Sequence, residues 1–130
     1  MKHFRILFLT LCFALAASAL SLAQGMKVVT NHTRSTVSLT LFVRAGSAVS
    51  GQAGTTSVDI PAGKTVTVQY GNQNNVFLNG YSLSAGFGGA AYEQHALVTR
   101  RSSDLDNQLN TNSIFEIRFV HSSFVVNAHN

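Results

Sequence analysis

The sequence predicts an all-β protein: a small single-domain β-sandwich of seven or eight short, mostly antiparallel strands, following an N-terminal signal peptide. Three observations lead there. Residues 36–44 (TVSLTLFVR) and 114–121 (IFEIRFVH) alternate apolar and polar side chains with period two, as half-buried strands do. Turn-forming Gly, Asn and Ser recur at regular intervals between short apolar runs. Beyond the leader the chain is rich in Val, Thr, Ser, Asn and Gly, with one Pro and no Trp, a strand-and-turn composition.

The leader comes first in the chain. Lys2 and Arg5 open it, residues 6–17 (ILFLTLCFALAA) form an apolar run, and Ser21-Leu22-Ala23 offers small residues for cleavage before Gln24. Positive head, apolar run and small-x-small end mark residues 1–23 as an export signal. The run is short for a membrane anchor, which needs about 20 residues. Cys12 lies inside that run and follows a bulky leucine, so a lipoprotein attachment site is discounted. The expected location is periplasmic or secreted, with no membrane span after cleavage.

Cleavage leaves residues 24–130, 107 in all and enough for one β-sandwich domain. It removes the sole cysteine and two of nine basic residues, leaving seven bases against five acids. The exported protein then has no thiol chemistry and cannot rely on disulfides, so packing and strand pairing must hold it together. Its charges are scattered, and no basic stripe points to nucleic acid.

The elements follow in order. Residues 26–30 (MKVVT) read as the first strand, ahead of a polar turn at 31–35. Within 36–44, Val37, Leu39, Leu41 and Val43 take one face and Ser38, Thr40, Phe42 and Arg44 the other. Residues 45–55 read as a loop and 57–60 as a short strand. Residues 61–64 (PAGK) turn the chain into a return strand at 65–70, where Val66, Val68 and Tyr70 share a face. Residues 71–75 (GNQNN) form another turn, and 76–85 (VFLNGYSLSA) resume strand character. Asn79-Gly80 within it is either a hairpin turn or a bulge, and strand length favours the bulge. After a break at 86–89 (GFGG), residues 90–99 suit helix by propensity but read as strand among β neighbours. Ser102 or Ser103 is placed to cap a helical turn carrying Leu105 and Leu109. Phe115, Ile117 and Phe119 share the core face of the next strand, and residues 124–128 add a last one.

Catalytic signatures are missing from the sequence. It has no Gly-x-Ser-x-Gly elbow. Asp104 and Asp106, near Arg100 and Arg101, suit turn or surface ion-pair roles better than paired glycosidase acids. His32, His95, His121 and His129 lack metal-ligand spacing and read as unrelated surface residues, so no metal and no cofactor are expected. The GFGG run lacks the helix and the lysine of a phosphate loop. Asn31-His32-Thr33 forms a sequon, which matters only in a glycosylating pathway.

One cluster suits ligand binding. Tyr70, Asn72, Gln73, Asn74, Asn75, Asn79 and Tyr81 lie around one turn, and amides beside aromatic faces bind glycans or peptide backbones. The competing reading is an Asn-rich turn flanked by core tyrosines. The expectation is therefore a non-catalytic envelope or secreted binding or structural module acting through protein or glycan contacts, with self-association through edge strands a further route. A small secreted hydrolase, or a periplasmic inhibitor or immunity-type protein, is the alternative.

Overall fold

The computed structural model describes residues 25–46, 48 and 51–130. The signal peptide assigned to residues 1–23, with Cys12, lies outside them. Eight strands and one helix follow in order: β1 Gly25–Asn31, β2 Val37–Arg44, β3 Gln52–Ile60, β4 Thr65–Tyr70, β5 Leu78–Phe87, β6 Ala90–Leu97, α1 Asp104–Asn110, β7 Ile114–Val120 and β8 Ser123–His129. They form two four-stranded sheets, ordered β4-β1-β7-β8 and β3-β2-β5-β6. The domain is all-β.

Alternation decides which faces are buried. Val37, Leu39 and Leu41 of β2 and Leu83 of β5 meet Val29, Val68, Phe115 and Ile117 of the other sheet in one core. Each such side chain contributes about 1.5–3 kcal/mol when fully buried, which is how the domain dispenses with a disulfide. Leu109 of α1 plugs one end of that core. Ser103 caps the helix, its hydroxyl accepting from the Asp106 amide, as a serine ahead of a first turn is suited to do. No helix among the described residues is long and apolar enough to cross a membrane.

Two hairpins close on two-residue turns. Gly88 and Gly89 join β5 to β6 with φ of 59° and 81°, the left-handed pair that glycine adopts without strain. His121 and Ser122 join β7 to β8 with φ of 50° and 62°, the same geometry borne by two residues with side chains. Most pairings are antiparallel, but β1 and β7 run parallel, with Val29 beside Phe115 and Asn31 beside Ile117.

Residues 90–97 are strand, as β context suggested. Asn79 is a bulge within β5: Phe42 pairs with Gly80 and Val43 with Leu78, leaving Asn79 unpaired. Other expectations need correction. β3 begins at Gln52, not Ser57, so the preceding loop is shorter than expected. Residues 52–57 are mostly exposed and held by pairing with β2, so they carry no hydrophobic pattern to read. β5 begins at Leu78, leaving Val76 and Phe77 exposed outside it.

Arg44 is the larger correction. Alternation put it on the polar face of β2, yet it is 4 % exposed. The pairing of β2 shifts near Phe42 on both neighbours, and such bulges break strict alternation. Asp106, expected at the surface, is its buried partner at 2.8 Å.

Candidate functional site

The predicted ligand cluster is dispersed by the fold. Tyr70 and Tyr81 lie in the core, where burial pushes the Tyr70 hydroxyl up to about 12 and raises that of Tyr81. The Tyr70 hydroxyl donates to the Val76 carbonyl. Asn72, Asn74 and Asn75 stay together at one turn, closed by the Asn72 side chain accepting from the Asn74 and Asn75 amides. Asn75 also accepts from the Gly46 amide. Asn79 is buried in the β5 bulge, accepting from Arg44 Nε at 2.7 Å and donating to the Gly51 carbonyl at 2.6 Å. These amides therefore spend hydrogen-bonding capacity on the protein itself.

Around Asn79 lies the main buried polar network. Arg44 donates from Nη2 to Asp106 at 2.8 Å and to the Leu78 carbonyl at 3.0 Å. Asp106 also accepts from the Ser102 amide and from Asn110, which in turn accepts from the Leu78 amide. Burial alone would raise the Asp106 carboxyl, but hydrogen bonds from Arg44, Ser102 and Asn110, together with the Arg44 charge, outweigh it and hold the group below the usual carboxylate range. The network fastens α1 to the bulge of β5.

Asn31 organises the opposite end. Fully buried, it donates to the Ser35 and Ile60 carbonyls and accepts from the Thr33 amide. Its amide nitrogen is thus used internally, so the sequon is not presented to solvent. The histidines need a correction as well: two of the four share a partner. His32 and His129 each lie 2.9 Å from a different oxygen of Glu116. Parallel pairing of β1 with β7, together with the β7–β8 hairpin, brings them there. The Glu116 carboxyl is lowered by those two hydrogen bonds, His32 first. Among the described residues no group of three or more His, Cys, Asp or Glu is arranged to hold a metal ion.

Beside this cluster is a recess of about 430 Å³ lined by His32, Thr33, Arg34, Phe87, Arg118, Phe119 and Val120. Phe87 and Phe119, from opposite sheets, stack at 4.0 Å with an interplanar angle of 12°. The sequence offered little signal for it, because its residues are separated by up to 88 positions, from His32 to Val120.

The sheet edges also differ. On β8, the Gln94 side chain donates to the Phe124 carbonyl and accepts from its amide, and Gln108 donates to the Val126 carbonyl. Both amides thereby cover outward backbone groups of an edge strand. β6 supplies Gln94 and carries a Glu93 to His95 pair at 3.1 Å. β4 is only six residues long. β3 has nine, with no Lys, Arg or Pro and one charge, Asp59, held by Ser38 at 2.7 Å. Its bulge falls at residues 53–54, leaving 55–60 in regular pairing with β2. Among the described residues no side chain covers this edge, and an uncovered, nearly uncharged edge can accept another strand.

Comparison of the chain with protein-family models, with curated proteins and with solved structures finds no match.

Proposed function

We propose that the protein is an exported, non-catalytic β-sandwich module of the cell envelope or secreted fraction, and that it acts by strand addition at β3, the added strand coming from a second copy of the chain. Of the protein and glycan contacts the sequence admits, the open edge of β3 favours protein. The observation that carries the reading is the contrast between edges: β8 is covered by two glutamine side chains, whereas β3 is left open by the described residues and carries a single charge. Antiparallel pairing of two β3 strands centred on Ser57 sets Asp59 opposite Thr55 of the second copy, so like charges do not face each other. Pairing confined to one edge strand from each copy makes the dimer a weak, transient one.

Sedimentation velocity from about 10 μM to 1 mM, a range suited to weak association, tests it. The expected result is a concentration-dependent dimer that Thr55→Lys with Ser57→Lys abolishes without altering the unfolding midpoint. A protein that stays monomeric throughout, or a dimer indifferent to those lysines, refutes it.

A further inference from the structure

The recess beside the Glu116 cluster lies apart from the β3 edge and has its own chemistry. Its wall is apolar: the stacked rings of Phe87 and Phe119, extended by Val120, which is 45 % exposed. Its polar rim is cationic. Arg34 is exposed and makes no side-chain hydrogen bond or ion pair among the described residues. Arg118 has Glu116 as its nearest carboxylate, but at 3.8 Å, beyond hydrogen-bonding range. Both oxygens of Glu116 already meet imidazoles at 2.9 Å, His32 on one side and His129 on the other. The two histidines thus take the hydrogen-bonding positions on both carboxylate oxygens, and Arg118 keeps only a longer charge contact with Glu116. Two guanidinium groups are left with open donors beside an aromatic wall.

That wall and rim are held in place. The Arg34 loop is fixed by buried Asn31, which bonds to Thr33 on one side of Arg34 and Ser35 on the other. Phe119 packs edge-on against Tyr92 at 4.9 Å and Phe124 at 5.1 Å. A preformed site lowers the ordering cost of binding. Guanidinium forks match the oxygens of carboxylate or phosphate, and aromatic faces take flat apolar bodies by offset stacking.

We propose that this recess binds small aryl acids, with an anionic carboxylate or phosphate head taken by Arg34 and Arg118 and a flat apolar body lying against Phe87, Phe119 and Val120. Head and body are both required. Inorganic phosphate offers nothing to the rings, and a neutral arene leaves the guanidinium groups unanswered.

The test is an amide-resolved NMR titration of the labelled protein with phenylacetate, phenyl phosphate, benzyl alcohol and inorganic phosphate. The expected result is saturable binding of at least one aryl anion, shifting the amides of Thr33, Arg34, Phe87 and Val120. The preferred aryl anion identifies the head group. Benzyl alcohol and inorganic phosphate should bind about tenfold more weakly or worse, and Arg34→Gln or Arg118→Gln should each weaken the aryl anion by about tenfold, the scale of one lost charge-assisted hydrogen bond. Both arginines lie outside the core, so an unchanged urea midpoint certifies each variant as folded. The proposal is overturned if neither aryl anion shifts those amides, if benzyl alcohol or inorganic phosphate matches the better aryl anion, or if either variant binds like the parent. Thr55→Lys should leave this binding intact, which separates it from the β3 reading.

Discussion

Replacing Arg44 by Met puts the buried network under its most direct strain. The Arg44 side chain is 5 % exposed and that of Asp106 11 %. The substitution removes three donated bonds, to Asn79, the Leu78 carbonyl and Asp106. It leaves the Asp106 carboxylate with the Ser102 amide and Asn110 but no countercharge. Removing one partner of a buried pair costs about 3–5 kcal/mol, a large share of the roughly 5–15 kcal/mol that holds a domain of this size folded. Asp106→Asn should also destabilise, by less, because an amide keeps part of the hydrogen bonding. The double variant should be more stable than the two losses added together, by about 2 kcal/mol, since no buried charge then lacks a partner. Urea unfolding at pH 7 with unchanged m-values measures all three. Single losses that add to within about 0.5 kcal/mol would mean the side chains act independently, and a cost below about 1 kcal/mol for Arg44→Met would refute the account. The acid limb gives a second check. The Asp106 carboxyl is lower in the folded state, so its contribution is present above the unfolded value of about 3.9 and is lost as pH falls below it. Asp106→Asn should remove that component.

Lys27 gives the alkaline counterpart. It is 6 % exposed, its ammonium lies 5.3 Å from the centre of the Phe115 ring, and burial pushes it down to about 8. The unfolded chain therefore holds this proton more tightly, so stability should rise between about pH 8 and 10 and Lys27→Met should flatten the rise. The raised tyrosines do not oppose this, because their contribution is lost only above about pH 10. Ser122→Gly should raise stability by about 0.5–1 kcal/mol in thermal unfolding, because φ of 62° strains a serine but not a glycine. Gly80→Ala should disrupt the β5–β6 pairing, since an added Cβ would collide with the Ala96 carbonyl oxygen; loss of amide-exchange protection in β6 would show it. Mass spectrometry of the exported protein should find Gln24 at its N-terminus, and an intact leader would refute the cleavage assignment.

Local pattern alone was enough for the all-β class, the strands around residues 37–44 and 114–120 and a helical turn after Ser102-Ser103; it favoured a bulge at Asn79-Gly80 over a hairpin turn, and the structure has the bulge at Asn79 and the cap at Ser103. These follow from side-chain period and turn chemistry within a few residues. The first half of β3 was not legible, because an exposed edge strand held by backbone pairing leaves no apolar alternation. Neither was the burial of Arg44 and Asp106, 62 positions apart. Alternation predicts a face only while the register holds, and the bulge breaks it where Arg44 lies. The recess depended on the parallel pairing of β1 with β7, which sets His32 against Glu116 across 84 positions. Local residue pattern therefore specifies the strands that carry a period-two apolar face, and the side of each that is buried while the register holds. Which charged side chains meet, which edge stays open and which arginines keep free donors were decided only by tertiary structure, because those properties arise between strands distant in the chain.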